Sequence, residues 1–235
     1  MKIILGSQSA QRRDLLLSVI EADQLVILPP LSDQEPGFEE CTTLDEIELQ
    51  LKNIVEIKQN DVLQQMQRDD RFSADDCVIC ADTVVVAGRP AWPSTKADSH
   101  LVLGKPDSAD WQNTVRHWFA EYYSGKTHDV WTCFCVATET AKREMIVKTS
   151  VTFSRVDNTW VDWYLTTEEP IGKAGGYGIQ DRAAVFVDRI EGSLSNVIGL
   201  PVFEIRTALL ELGVINRSAL SGGKTGQQAA TGFTQ

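Results

Sequence analysis

Nine residues, Val78-Ile79-Cys80-Ala81-Asp82-Thr83-Val84-Val85-Val86, constrain this chain more than any other stretch. They are β-branched and apolar nearly throughout, with Gly88 and Pro90 just beyond, the pattern of a buried strand. Asp82 is the exception. A carboxylate taken out of water is costly unless a cation, a metal or hydrogen-bond donors compensate it. Two readings stand. A bend or strand junction lets Asp82 reach solvent or a backbone N–H, or a functional site supplies positive charge. The basic and glycine-rich segments elsewhere in the chain favour the second.

The 235 residues suffice for one large domain or two lobes around a sizeable core. Hydrophobic residues at 43% and charged residues at 23% are ordinary globular values and argue against disorder over most of the length. No apolar run approaches the roughly 20 residues of a membrane helix, so no membrane partner is expected. Met1 to Gly6 reads as a first strand, being too short for a signal core. Five cysteines without framework spacing point to a reducing, cytoplasmic setting. Cys77 and Cys80 sit at odd spacing on a strand and point to opposite faces, so they do not share a metal. Cys133 and Cys135 share a face, in an apolar strand where they read as small core residues. A net charge of −11 argues against a general nucleic-acid surface. An anionic ligand would need basic residues gathered locally, with a divalent cation.

Taken in order, Lys2–Leu5 reads as a strand, 6–10 as a turn, and 11–20 as a helix with Leu15, Leu16 and Val19 inward. Ser9 is its expected N-cap. Arg12 and Arg13 lie in the first turn, where cations oppose the helix dipole unless an anion sits between them. On their own, two solvated surface arginines explain the pattern equally well. A short strand, 25–28, leads into an acidic loop with Asp33, Glu35, Glu39 and Glu40. Residues 45–67 carry apolar side chains at helical spacing. Residues 88–103 read as an irregular loop holding an insertion in a hairpin, 107–123 as a helix, and 130–137 and 145–154 as strands. The 107–123 helix places Trp111, Val115, Trp118 and Tyr122 on one stripe. Asn158 is the expected cap of a helix ending at Leu165. Lys173-Ala174-Gly175-Gly176-Tyr177-Gly178-Ile179-Gln180 allows positive φ and close backbone approach to a ligand, and equally a tight loop. Its spacing is not that of a dinucleotide fingerprint. Residues 183–190 read as a strand, 191–200 as a loop, and Pro201 starts a last helix stopped by Gly213. The expected division is a domain over 1–216 and a flexible tail over 217–235, whose Gly, Ser, Gln, Thr and Ala cannot build a core.

Several of these segments in order resemble the Maf family of nucleoside triphosphate pyrophosphatases, known also as septum-formation inhibitor proteins. They are Ser7-x-Ser9-x-x-Arg12-Arg13, Ala81-Asp82-Thr83, Leu103-Gly104-Lys105-Pro106, Ser124-Gly125-Lys126-Thr127-His128, the stretch from Glu169 to Gln180, and Ile190-Glu191-Gly192-Ser193-x-x-Asn196-Val197-x-Gly199-Leu200-Pro201. The resemblance covers about residues 1–213. It implies an α/β fold, a bent mixed sheet flanked by helices in two lobes like inosine-triphosphate pyrophosphatase, with a nucleotide in the central cleft. It implies Asp82 as proton acceptor, with Lys105 also catalytic. Ser7, Ser9, Arg12, Arg13, Lys58, Lys173 and Tyr177 would bind substrate. Thr83 and Gln180 match positions tied to pyrimidine triphosphates, while Gln11 stands where the pyrimidine type usually has arginine. Asp33 is the expected counterpart of the family's acidic-loop glutamate, so Asp82 and Asp33 would hold Mg²⁺ or Mn²⁺. For the lysine of the long helix, Lys58 fits the apolar register better than Lys52. The substrate expected is dTTP or UTP, with CTP included, and a homodimer is compatible with the reading. Two alternatives stay open: a regulatory nucleotide-binding protein of cell division, and an enzyme for dITP or 7-methyl-GTP.

Overall fold

The computed structural model describes residues 1–32, 35–89, 99–106 and 109–216. Asp33, most of the expected insertion and the expected tail lie outside these residues. Among the described residues, seven strands form one mixed sheet: β1 (Ile3–Leu5), β2 (Leu25–Ile27), β3 (Cys77–Gly88), β4 (His100–Leu103), β5 (Thr127–Ala137), β6 (Lys142–Phe153) and β7 (Val187–Glu191). Their order is β2-β1-β3-β5-β6-β7, with β4 also on β3. The helices are α1 (Ala10–Leu16), α2 (Leu44–Gln67), α3 (Trp111–Trp118), α4 (Asn158–Leu165), α5 (Leu194–Ile198) and α6 (Val202–Glu211).

β3 is the axis. Antiparallel β5 covers one edge from Val78 to Val86. The other edge is shared: β1 pairs in parallel with 77–79, and β4 in antiparallel with 85–88. No described strand pairs with that edge between Cys80 and Val84. The two faces of β3 have different neighbours, as period-two alternation requires. Ile79 and Ala81 pack with Leu16 of α1 and Ile205 and Leu209 of α6. Val78, Cys80, Val84 and Val86 pack with Ile47, Leu51, Val55 and Val62 of α2. Val85 and Ala87 then enter a third, aromatic cluster with Phe119, Tyr123, Phe153 and Tyr164. Cys77 and Cys80 accordingly fall into different clusters.

α2 begins at a capping box in which Thr43 accepts from the Glu46 amide and Glu46 accepts from that of Thr43. Elsewhere the structure differs from the expectations at short elements. α1 stops at Leu16, a turn early. Residues 88–103 are not loop throughout, because His100–Leu103 is β4. The 107–123 helix starts by Trp111 and widens into a π turn over Phe119–Tyr123, with the Ser124 amide donating to the Phe119 carbonyl. The extra residue brings Phe119 and Tyr123 into the core, deeper than Trp118 and Tyr122. Asp157, not Asn158, caps α4 by accepting from the Trp160 amide. Residues 182–186 form a 3-10 turn rather than strand, since Ala183 and Phe186 are buried at a spacing of three. Within 191–200, Ser193 caps and Gly199, at φ 128°, ends the one-turn α5.

Candidate active site

The unpaired edge of β3 opens onto a cavity of about 450 Å³. Several segments reach it. The chain leaving β1 brings Ser7, Ser9, Gln11 and Arg12, the chain leaving β4 brings Lys105, and the glycine-rich loop brings Lys173, Tyr177 and Gln180. From below come Asp82 and Thr83 of β3 and Lys58 of α2. The pocket thus lies where the pairing partner of β3 changes, the kind of place where open α/β sheets hold ligands.

Gly6 allows the first segment to arrive. A Cβ there would lie 2.4 Å from the Cys80 sulfur and 3.0 Å from Val62. Ser9 caps α1, its hydroxyl accepting from the Arg12 amide (3.3 Å) and donating to Gln11 Oε1 (3.2 Å). The glycine-rich loop was open to two readings, approach to a ligand or a tight loop, and two of its glycines approach the core. Gly175 and Gly176 have φ near 68° and 67°, and a Cβ on Gly175 would meet Val85 at 2.5 Å. Tyr123 and Tyr164 donate to their carbonyls (2.7 and 3.3 Å), and the Gly175 amide donates to Gly104 (2.9 Å). Lys173 and Lys105 are therefore held on neighbouring anchored loops.

Asp82 lies on the α2 side of β3, where Lys58 is the buried cation of an apolar stripe. Lys58 Nζ donates to Asp82 Oδ1 at 2.5 Å and pairs with Glu35 at 3.1 Å. Lys52, the other lysine considered, pairs with Glu48 instead (2.8 Å). Glu35 is the residue that sequence reading did not select. Four acids in one irregular loop carry no period that distinguishes them, and only the contact with Lys58 does. A hard divalent cation takes one or two carboxylates and completes its shell with phosphate oxygens and water. Asp82 and Glu35 converge on one point and suit that role, although no three His, Cys, Asp or Glu side chains group as a metal cage among the described residues.

Arg12 lies across the pocket. Its Nε donates to the Gly199 carbonyl (3.0 Å), and its two amino groups to Thr83 Oγ1 (3.1 Å) and Ser7 Oγ (3.4 Å). Burial pulls the guanidinium below its ordinary pKa, while Asp82 and Glu35 pull it back up. Arg13 does not join it. One residue further round the helix, it is half exposed and pairs with Asp14 (2.8 Å), which corrects its expected place at the anion. Lys173 pairs with Asp181 (2.8 Å) and Gln180 donates to the same carboxylate (3.3 Å). Tyr177 is buried, its hydroxyl bonded to His128 Nε2 (2.8 Å). Burial drives the His128 pKa down to about 3, so the ring is neutral. Among the described charged lining residues, four bases (Arg12, Lys58, Lys105, Lys173) face two acids (Glu35, Asp82), in a chain of net charge −11.

The description "Maf-like protein" belongs to a family model that matches residues 2–212. The chain belongs to the Maf-like protein family. This Maf-like protein is 35% identical over 213 residues to a dTTP/UTP pyrophosphatase of Acinetobacter baylyi, covering 90% of this chain and all of that one. It is 33% identical over 213 residues to a dTTP/UTP pyrophosphatase of Pyrococcus furiosus, covering 90% of this chain and 95% of the relative. Among solved structures, a HAM1 protein from Coxiella burnetii aligns over 90% of this chain and 99% of its own, at 12% identity and a TM-score of 0.37.

Proposed function

We propose that this Maf-like protein hydrolyses nucleoside triphosphates between the α and β phosphates, giving a nucleoside monophosphate and pyrophosphate, with pyrimidine bases preferred. The observation that carries the reading is the position of Asp82. It is a carboxylate in a strand that is otherwise core, facing a pocket whose basic side chains come from four separate segments. The names of the relatives, dTTP/UTP pyrophosphatases, support both the reaction and the base class.

Asp82 accepts the proton of the water that attacks the α-phosphorus, a role for which a second oxygen remains while Lys58 engages the first. Lys58 holds that carboxylate in place. Lys105, Lys173 and Arg12 receive the negative charge that grows on the departing pyrophosphate, the charge whose stabilisation matters most to the rate. A divalent ion, when bound, neutralises part of the phosphate charge, and Asp82 and Glu35 are the residues that would hold it. Gln11 and Gln180, exposed on the pocket lining, contact the base.

The test is pyrophosphate release from dTTP, UTP, CTP, dITP and 7-methyl-GTP, with Mg²⁺ or Mn²⁺ and with chelator. Fastest turnover of dTTP or UTP is expected. A purine as best substrate would overturn the base class. No pyrophosphate from any of the five would overturn the reaction.

A further inference from the structure

A line of buried hydrogen bonds runs from the pocket into the sheet. Arg12 donates to Thr83 Oγ1 (3.1 Å), which lies 2.9 Å from Thr132 Oγ1, its direct partner across β3 and β5. Thr132 donates to the Asn196 carbonyl (3.2 Å). Thr83 Oγ1 accepts from Arg12, and its one proton lies between two acceptors, Thr132 Oγ1 and the Gly199 carbonyl (3.3 Å), while the Thr132 proton goes to Asn196. Thr132 and Asn196 are wholly buried. The Asn196 amide nitrogen donates to the Val130 carbonyl (2.9 Å) and to Thr149 Oγ1 (3.0 Å), which fastens α5 onto β5 and β6. α5 ends at Gly199, whose carbonyl accepts from Arg12 Nε (3.0 Å). Both ends of the line therefore fix the same guanidinium.

We infer that Thr132 and Asn196 are positioning residues for Arg12, acting through Thr83 and Gly199. A planar guanidinium with five donors binds phosphate well only when its plane is fixed in advance. Three of its donors are engaged by Gly199, Thr83 and Ser7, which leaves two N–H groups of set direction for an incoming anion. Asn196 locates the Gly199 carbonyl, and Thr132 Oγ1 and that carbonyl are the two acceptors that hold the Thr83 hydroxyl. The hydroxyls and the Asn196 amide nitrogen are each paired within this buried network, which holds their geometry, while Asn196 Oδ1 is buried with no partner among the described residues.

The inference rests on the proposed reaction only for its kinetic consequence, so the experiment has two arms. The first follows hydrogen exchange of the Arg12 Nε–H by nitrogen-15 NMR of arginine side chains in the substrate-free protein. Thr132→Val, which keeps the shape and removes the hydroxyl, should speed that exchange by about tenfold or more, and Thr132→Ser should restore it. Unchanged exchange in Thr132→Val would overturn the line of bonds, whatever the activity. The second arm measures kcat/KM for dTTP. Thr132→Val should lower it about tenfold, near 1.4 kcal/mol, in the wild-type background and leave it unchanged in Arg12→Ala. Equal losses in both backgrounds would make Thr132 merely structural and overturn its action through Arg12. An inactive wild type would sink the proposed reaction, while the exchange arm still decides the positioning.

Discussion

At the scale of single residues, the centre of the pocket is one lysine shared by two carboxylates. Asp82→Asn keeps the shape and removes both charge and proton acceptor. Turnover of dTTP should fall by roughly two to four decades, the usual scale for a general base, with little change in melting temperature. Activity like that of the wild type would remove Asp82 from the reaction. Gln11 gives a second prediction. It offers a neutral amide where arginine would offer a charged fork, and its Oε1 is already engaged by Ser9. Gln11→Arg should widen the ratio of kcat/KM between the best and worst of UTP, dTTP and CTP by about tenfold. A constant ratio would leave Gln11 outside recognition. His128 supplies a pH effect. Its folded pKa of about 3 lies below the ordinary 6.5, so between these values the unfolded chain holds a proton that the folded one lacks. Stability is therefore complete above pH 6.5 and declines as the pH falls toward 3. The His128 contribution should amount to about 2 kcal/mol lost between pH 7 and pH 5. Denaturant titrations of wild type and His128→Gln check it, the variant lacking that part of the slope.

At the scale of elements, legibility followed length and periodicity. β3 and α2 were readable because twelve and twenty-four residues repeat their pattern several times. With them came Asp82, visible as a charge out of place on an apolar strand, and Lys58, which the resemblance suggested and the apolar register separated from Lys52. α5 was not readable, since five residues offer one turn and no repeat, although Ser193 and Gly199 marked its two ends. Arg12 and Arg13 looked alike in sequence, and only the place of Gly199, which accepts from one of them, separates them. The glycine-rich loop was recognised as special for a reason that applies only in part. Gly175 and Gly176 have positive φ as expected and Gly178 does not, and Gly175 is required by the nearness of Val85 and Tyr123. Gly175→Ala should therefore destabilise the protein by about 2–4 kcal/mol, from overpacking together with a left-handed alanine. Chemical denaturation measures this, and a loss below about 0.5 kcal/mol would mean that the loop can shift away from β3.

At the scale of the whole molecule, one sheet carries both the core and the pocket, and the pocket takes its residues from nearly the full described length. The family match ends at residue 212, and the composition beyond Arg217 has almost no core formers. A chain truncated after Arg217 should keep the turnover and melting temperature of the full protein. Loss of activity on truncation would assign that segment to the functional unit. The wide spacing of the pocket residues also has a consequence in time. Arg12 is oriented by a carbonyl 187 positions away. At about 5–20 residues per second, synthesis brings Gly199 into existence roughly 10–40 s after Arg12. A growing chain on the ribosome thus lacks the Gly199 carbonyl that fixes Arg12 Nε until all but α6 and the residues after it have been made.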